Sequence, residues 1–206
     1  MTQKNSVVIL ADGSFPTGSQ AMTILKSGLP IVCCDGAVDA LVSHGQEPWA
    51  VVGDCDSISP ESAARFAAIL HRDPDQQTND LTKAVEYCIV HHLTDITILG
   101  ATGRREDHTL GNISLLADYS LRANVRMVSD YGEFRAISSP TTFRGKPGDQ
   151  VSIFVLDPTA TVHYQGLLYT LPESRARSWW SGTLNEVTGD SFTIDTHVAT
   201  IVFRVF

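Results

Sequence analysis

The segment "AVVGDCDSISPESAARFAAILH", residues 50–71, compresses a strand, a turn and a helix into one unit. Its opening is small, apolar and β-branched, which reads as a buried strand. From Pro60 the alanines and leucine follow helical spacing, with Ser59 as the N-cap and Pro60 at the first helical position. Between strand and helix, Gly53 is followed by Asp54 and Asp56. A strand that feeds a turn and then a helix is the repeating unit of an open α/β sheet.

Outward from this segment the unit recurs. "SVVILADG" (6–13), "PIVCCDG" (30–36), "DITILGATG" (95–103) and "ANVRMVSD" (123–130) are further apolar runs ending in glycine or acidic turns. "DLTKAVEYCIVHH" places Leu81, Ala84, Val85, Cys88 and Ile89 on one helical face, and "HTLGNISLLADYSLR" does so with Leu110, Ile113, Leu116 and Ala117. The expectation for residues 1–130 is an α/β domain: a mostly parallel sheet with helices on both faces, joined by right-handed crossovers. After Asp130 only strand-like runs remain, punctuated by "KPGD", "DPTA" and "VTGD", so residues 131–206 are expected to form an all-β sandwich domain.

Composition narrows the function classes. Of 206 residues, 43% are hydrophobic and 18% charged, an ordinary globular balance, and the net charge of −8 disfavours nucleic acid and anionic membrane as partners. A phosphorylated ligand therefore needs local cations or a metal ion. The first apolar run, "VVIL", is too short for a signal peptide or membrane span, which implies a cytoplasmic protein. Cys33, Cys34, Cys55 and Cys88 lack zinc-site spacing and read as reduced core thiols. His91 and His92 close a helical pattern, where they suit the unpaired carbonyls better than a metal.

In open parallel sheets the ligand crevice lies beyond the carboxyl ends of the strands. The turns "ADG" (11–13), "CDG" (34–36), "GDCDS" (53–57) and "GATGRREDH" (100–108) should therefore line one site. If the strand persists through Cys55, Asp54 and Asp56 face the same side, with Gly53 leaving room for a phosphate. Two such carboxylates need a cation or a shared proton. The competing reading, that Asp56 or Ser57 caps the next helix, is weakened by Ser59. Asp80 and Asp107 each precede an apolar helical pattern and read either as caps or, given the polar "QQTND" and "GRREDH" around them, as site residues. Arg104 and Arg105 are a solvated pair or polyphosphate ligands. Lys83, in a helix's first turn, opposes the macrodipole unless an anion binds there. GxxxxGK[ST], GxGxxG and GxSxG are all absent. What remains is a carboxylate-rich, Mg²⁺-loaded site suited to phosphoryl chemistry.

"DG" (35–36), "GDCDS" (53–57), "QQTNDLTKA" (76–84) and "GATGRREDHTLGN" (100–112), in this order, resemble the thiamine pyrophosphokinase family. "GLLYTL" and "GTLNEVTGDSFTI" resemble its C-terminal β-domain more loosely. The resemblance implies an ATP-using homodimer that forms thiamine diphosphate and AMP, with thiamine bound between subunits. It implies Asp54, Asp56, Asp80 and Asp107 as catalytic residues, the first three around Mg²⁺. Asp35, Gly36, Ser57, Gln76, Asn79, Lys83, Arg105 and His108 would contact ATP, and Thr183, Leu184 and Asn185 thiamine. Asp80 and Asp107 are both open as general base. This chain reads Gly103-Arg104-Arg105 where the family commonly has Gly-Gly-Arg, and Leu184-Asn185-Glu186 where it has Ser-Asn-Glu. Tyr169, Trp179 and Trp180 read as a stacking surface for the cationic thiazolium or as core and interface packing. The rival functions are a metal-dependent nucleotide hydrolase and a non-catalytic nucleotide sensor.

Overall fold

The structure, a computed structural model, describes residues 5–170 and 178–206. Six parallel strands form the first part of the main sheet: β1 (Ser6–Leu10), β2 (Ile31–Cys34), β3 (Ala50–Gly53), β4 (Leu70–Arg72), β5 (Asp95–Leu99) and β6 (Asn124–Val128). Their spatial order is β6-β5-β1-β2-β3-β4, so the chain runs outward from β1 to β4 and then returns to the other side of β1. That reversal sets a topological switch point between β1 and β5, where a crevice opens in sheets of this type.

Alternation along the strands decides what each face receives. Val8, Leu10, Ile31, Cys33, Val51 and Leu99 face one side, where α1 (Ser19–Leu25) and α2 (Ala37–Ser43) deliver Ala21, Leu25, Ala37, Val38 and Leu41. Val7, Ile9, Val32, Cys34, Val52, Ile96 and Ile98 face the other, covered by α4 (Asp80–Val90) and α5 (Glu106–Ser120) through Leu81, Ala84, Val85, Cys88 and Leu116. Helices therefore cover both faces, as expected.

The helix read from Pro60 is shorter than its pattern. Ser59 does cap α3 (Pro60–Arg65), its hydroxyl accepting from Ser62 N at 3.2 Å, but the helix stops there. Phe66 turns into the α1/α2 core, a 3-10 turn follows over Ala67–Ile69, and Leu70 pairs with Val51 at the sheet edge. Burying Phe66 and Leu70 on that edge is incompatible with two more helical turns.

Beyond Asp130 the strands are antiparallel, and they continue the same sheet. β7 (Gly132–Ile137) pairs with β6, then β13 (Thr200–Val205) with β7, β9 (Gln150–Val155) with β13, and β11 (Asn185–Glu186) with β9. A Cβ on Gly132 would lie 2.2 Å from Arg204 O, which explains a glycine where the sheet changes direction. The second layer of the sandwich is a three-stranded sheet of β8 (Thr141–Arg144), β10 (His163–Gln165) and β12 (Ser191–Asp195), packed on Val151, Ile153, Val155 and Val202 through Phe192 and Ile194. Among the described residues, the element outside the all-strand reading is a 3-10 turn, Trp179–Gly182. Of the cysteines, Cys33, Cys34 and Cys88 are buried thiols, whereas Cys55 is only half-buried, in a turn.

Leu116 is fully buried, on a helix that touches β6, β7 and β13 and so spans the parallel and antiparallel parts. Leu116→Ala should lower stability by roughly 2–5 kcal/mol in urea unfolding. A loss under about 1 kcal/mol would show that this helix is not a core element.

Candidate active site

The strand-end turns build the site as their positions predict, by a different local geometry. β3 ends at Gly53, and Cys55 sits at φ +66°, so Asp54 and Asp56 converge through a left-handed turn and not by strand alternation. Asp35, just past β2, is also in the left-handed region at φ +38°. Backbone strain of this kind gathers where a site over-determines its side chains. One carboxylate oxygen from each of Asp35, Asp54 and Asp56 lies within 4.8 Å of the others.

Several bonds hold the cluster in place. Ser57 N donates to Asp35 Oδ2 (3.0 Å), Ser57 Oγ to Asp56 Oδ1 (2.8 Å), and Gln76 Nε2 to Asp54 Oδ2 (3.2 Å). Behind it, Asp39 of α2 accepts from Ser59 N (3.0 Å), Ser59 Oγ (2.7 Å) and Ser62 Oγ. Gly53 is small for a reason other than phosphate approach: a Cβ there would meet Asp35 Cβ at 2.9 Å and Asp80 Oδ1 at 3.3 Å. The glycine makes room for the acids themselves.

Asp35 is the revealing member. It is buried, its Oδ1 is buried without a hydrogen-bond partner among the described residues, and burial pushes its carboxyl pKa up. The Ser57 N–H opposes that shift, while Asp80, Asp54 and Asp56 add to it. Hydrogen bonds from Gln76 and the Asp56 N–H pull the Asp54 carboxyl down. An orphaned buried oxygen among converging carboxylates fits a hard divalent cation.

Two helix N-termini face this cluster. Asn79 caps α4, accepting from Thr82 N at 2.9 Å, which leaves Asp80 at the first helical position without a capping role. Lys83, nearly all its side chain buried, donates Nζ to Asp80 Oδ1 at 3.1 Å. Burial alone would lower the Lys83 pKa, but Asp80, Asp54 and Asp73 hold it above its ordinary value. At α5 the residue before the helix is Arg105, which grips both oxygens of Asp107 through Nε and Nη2. That ion pair and the His108 N–H take the Asp107 carboxyl down to about 2. Neither aspartate is the helix cap that the competing reading proposed.

Together these elements enclose a cleft of about 450 Å³. Asp35, Asp54, Ser57, Gln76, Asn79, Asp80, Lys83, Arg105 and His108 line it. Three predicted residues of the N-terminal half do not: Gly36 packs behind Ser57, Asp56 belongs to the acidic cluster, and Asp107 is joined to the cleft through Arg105. Asp12, within the "ADG" turn, and Asn112, at the end of "GATGRREDHTLGN", also line it, although neither was given a role of its own. Each had a signal, Asp12 directly following an apolar strand as Asp35 does, and Asn112 lying one helical turn after His108.

The family model described as the catalytic domain of thiamin pyrophosphokinase matches residues 22–129, and the model of its substrate-binding domain matches residues 132–203. The chain belongs to the thiamin pyrophosphokinase family. It is 33% identical over 94 residues to thiamin pyrophosphokinase 1 of Caenorhabditis elegans, covering 41% of this chain and 38% of that protein. It is 36% identical over 92 residues to thiamine pyrophosphokinase 1 of Oryza sativa subsp. japonica, covering 40% of this chain and 34% of that one. The chain thus spans little more than a third of these relatives' length. Among solved structures, thiamine pyrophosphokinase from Bacillus subtilis superposes with a TM-score of 0.80 at 20% identity, covering 97% of this chain and 98% of that one. The yeast thiamin pyrophosphokinase gives 0.82 at 16% identity, covering 100% and 88%. These structures share the fold.

The C-terminal residues singled out from the thiamin pyrophosphokinase resemblance lie away from the cleft. Thr183 Oγ1 donates to Trp180 O (2.8 Å), and Asn185 holds the Tyr169 backbone with both ends of its amide, at 3.0 and 2.7 Å. Leu184 is exposed at φ +55°. Tyr169, Trp179 and Trp180 are exposed as well, so they are not core in this chain.

The raised carboxyl pKa of Asp35 gives a test with a definite sign. A folded-state value above the ordinary 3.8 means that stability present at low pH is lost as Asp35 ionises on folding-competent protein at rising pH. Without divalent ions, Asp35→Asn should therefore melt higher than the parent protein at pH 7, and the gap should narrow as pH falls toward 4. Mg²⁺ should raise the melting temperature of the parent alone. Equal melting of both proteins, with and without Mg²⁺, would contradict the site.

Proposed function

We propose that this chain transfers a pyrophosphoryl group from ATP to the hydroxyl of thiamine, giving thiamine diphosphate and AMP. The observation that carries the reading is the orphaned Oδ1 of Asp35 within a three-carboxylate group, two of whose members, Asp35 and Asp54, line a cleft that also holds basic side chains. In this reading Asp54 and Asp56 hold Mg²⁺, Asp80 completes the acidic group, and Asp35 adds a ligand. The ion supplies charge neutralisation for the phosphate oxygens.

The thiamine hydroxyl oxygen forms a bond to the β-phosphorus, and the bond from that phosphorus to the α-phosphate oxygen breaks, so AMP leaves with that oxygen. The hydroxyl proton goes to a carboxylate. Asp80 and Asp107 are the two candidates to receive it, each paired with a cation, Lys83 and Arg105 respectively. Ser57, Gln76, Asn79, Lys83 and His108 line the nucleotide side, with Gly36 behind Ser57.

The division into a catalytic unit, residues 1–130, and a thiamine-binding and dimerisation unit, residues 131–206, belongs to the same proposal. Leu168, Tyr169, Trp179, Trp180 and Leu184 are exposed apolar side chains, a surface suited to a second copy and to a thiazolium. Leu184 of that surface, with Thr183 beside it, would then meet thiamine in the other subunit's cleft, and Asn185, buried and bonded to the Tyr169 backbone, would support them from behind. A cytoplasmic setting agrees with the free thiols, and no helix among the described residues is long and apolar enough to cross a membrane.

Mixing the protein with ATP, Mg²⁺ and thiamine should yield AMP and thiamine diphosphate in equal amounts. ADP with free phosphate would identify a hydrolase, and tight ATP binding without turnover a sensor. Asp56→Asn should fold normally and lose turnover by about 100-fold or more, the scale of removing one electrostatic group at a reacting centre. Near-normal activity in that variant would make the carboxylate pair structural.

A further inference from the structure

Three cationic side chains line the cleft, and they differ in what they have left to offer. Lys83 is buried against Asp80. Arg105 spends Nε and Nη2 on the two oxygens of Asp107. Arg104 uses a single nitrogen: Nη1 donates to Asp12 O and to Asp12 Oδ1, each at 3.0 Å. Its Nε and Nη2 have no hydrogen-bond partner among the described residues, and the side chain is 57% exposed.

The mounting of Arg104 is stiff. The turns after β1 and β5 are stitched together by Gly13 N to Gly100 O (2.6 Å), Ser14 N to Thr102 O (2.8 Å) and Ser14 Oγ to Gly103 O (2.8 Å). Arg104 leaves this clamp at the switch point, and Asp12 tethers one edge of its guanidinium. A tethered planar fork with two free donor nitrogens is pre-organised for a phosphate, because little side-chain freedom remains to be lost on binding. The carboxylates of Asp35, Asp54 and Asp80 in the same cleft repel a ligand carrying several negative charges, and such a cation offsets part of that repulsion.

We infer that Arg104 selects nucleotides by the charge of their phosphate tail, with Asp12 as the positioning residue that holds its guanidinium in the cleft. This rests on the reading of the cleft as a nucleotide site. Arg104 then favours tri- over monophosphates, and Asp12 acts only through Arg104.

The test is calorimetric titration of the whole protein with ATP, ADP and AMP in the presence of Mg²⁺ and without thiamine. Arg104→Gly should weaken ATP by roughly tenfold or more, the worth of a charge-assisted hydrogen bond, and AMP by less than about twofold. Arg104→Lys should recover part of the ATP affinity. Asp12→Asn should raise KM for ATP with kcat little changed. Equal loss for ATP and AMP, or unchanged ATP affinity in Arg104→Gly, would overturn the inference while leaving the nucleotide site intact. Failure of the parent protein to bind any of the three would overturn the nucleotide reading itself.

Discussion

The structure is organised around an electrostatic conflict: Asp35, Asp54 and Asp56 converge at the ends of two adjacent parallel strands. Burial raises the cost of ionising Asp35, and the neighbouring charges of Asp80, Asp54 and Asp56 raise it further. The surrounding structure holds them there regardless. Cys55 and Asp35 adopt left-handed backbone, Gly53 gives up its side chain, and Asp39 ties the following turn to α2. The Asp39 bonds stabilise the fold by themselves, whereas the left-handed backbone and the orphaned Asp35 oxygen do not. They make sense together when a cation is the missing partner.

The continuous sheet supplies the rigidity that this conflict demands. β1 and β5 fix the switch point, and the chain's return through α4 brings Asn79, Asp80 and Lys83 over the ends of β2 and β3. Because β7, β13 and β9 extend the same sheet, the C-terminal strands are hydrogen-bonded into the scaffold that bears the site. α5 lies across that junction with its first turn at the cleft.

How much of this was legible in the sequence depended on range. The strands buried on both faces announced themselves as apolar runs, and the acidic turns after them marked the functional edge. β4, "LHR", was invisible because a three-residue edge strand carries little apolar signal. The fusion of the two sheets was hidden too, since pairing such as Phe134 with Phe203 leaves no local trace. At the site, Asp54 and Asp56 could be read from position alone. Asp35 as a cluster member could not, because its burial comes from packing, and the Asp12–Arg104 contact joins residues 92 apart in the chain.

Where a divalent ion binds decides whether the acidic cluster is a metal site. Mn²⁺ reports position directly, so anomalous diffraction from crystals grown with Mn²⁺ and a non-hydrolysable ATP analogue is the most direct measurement. A metal site there gives a peak among Asp35, Asp54 and Asp56, with Asp35 Oδ1 as a ligand. A peak at Asp107 alone, or none in the cleft, would contradict it.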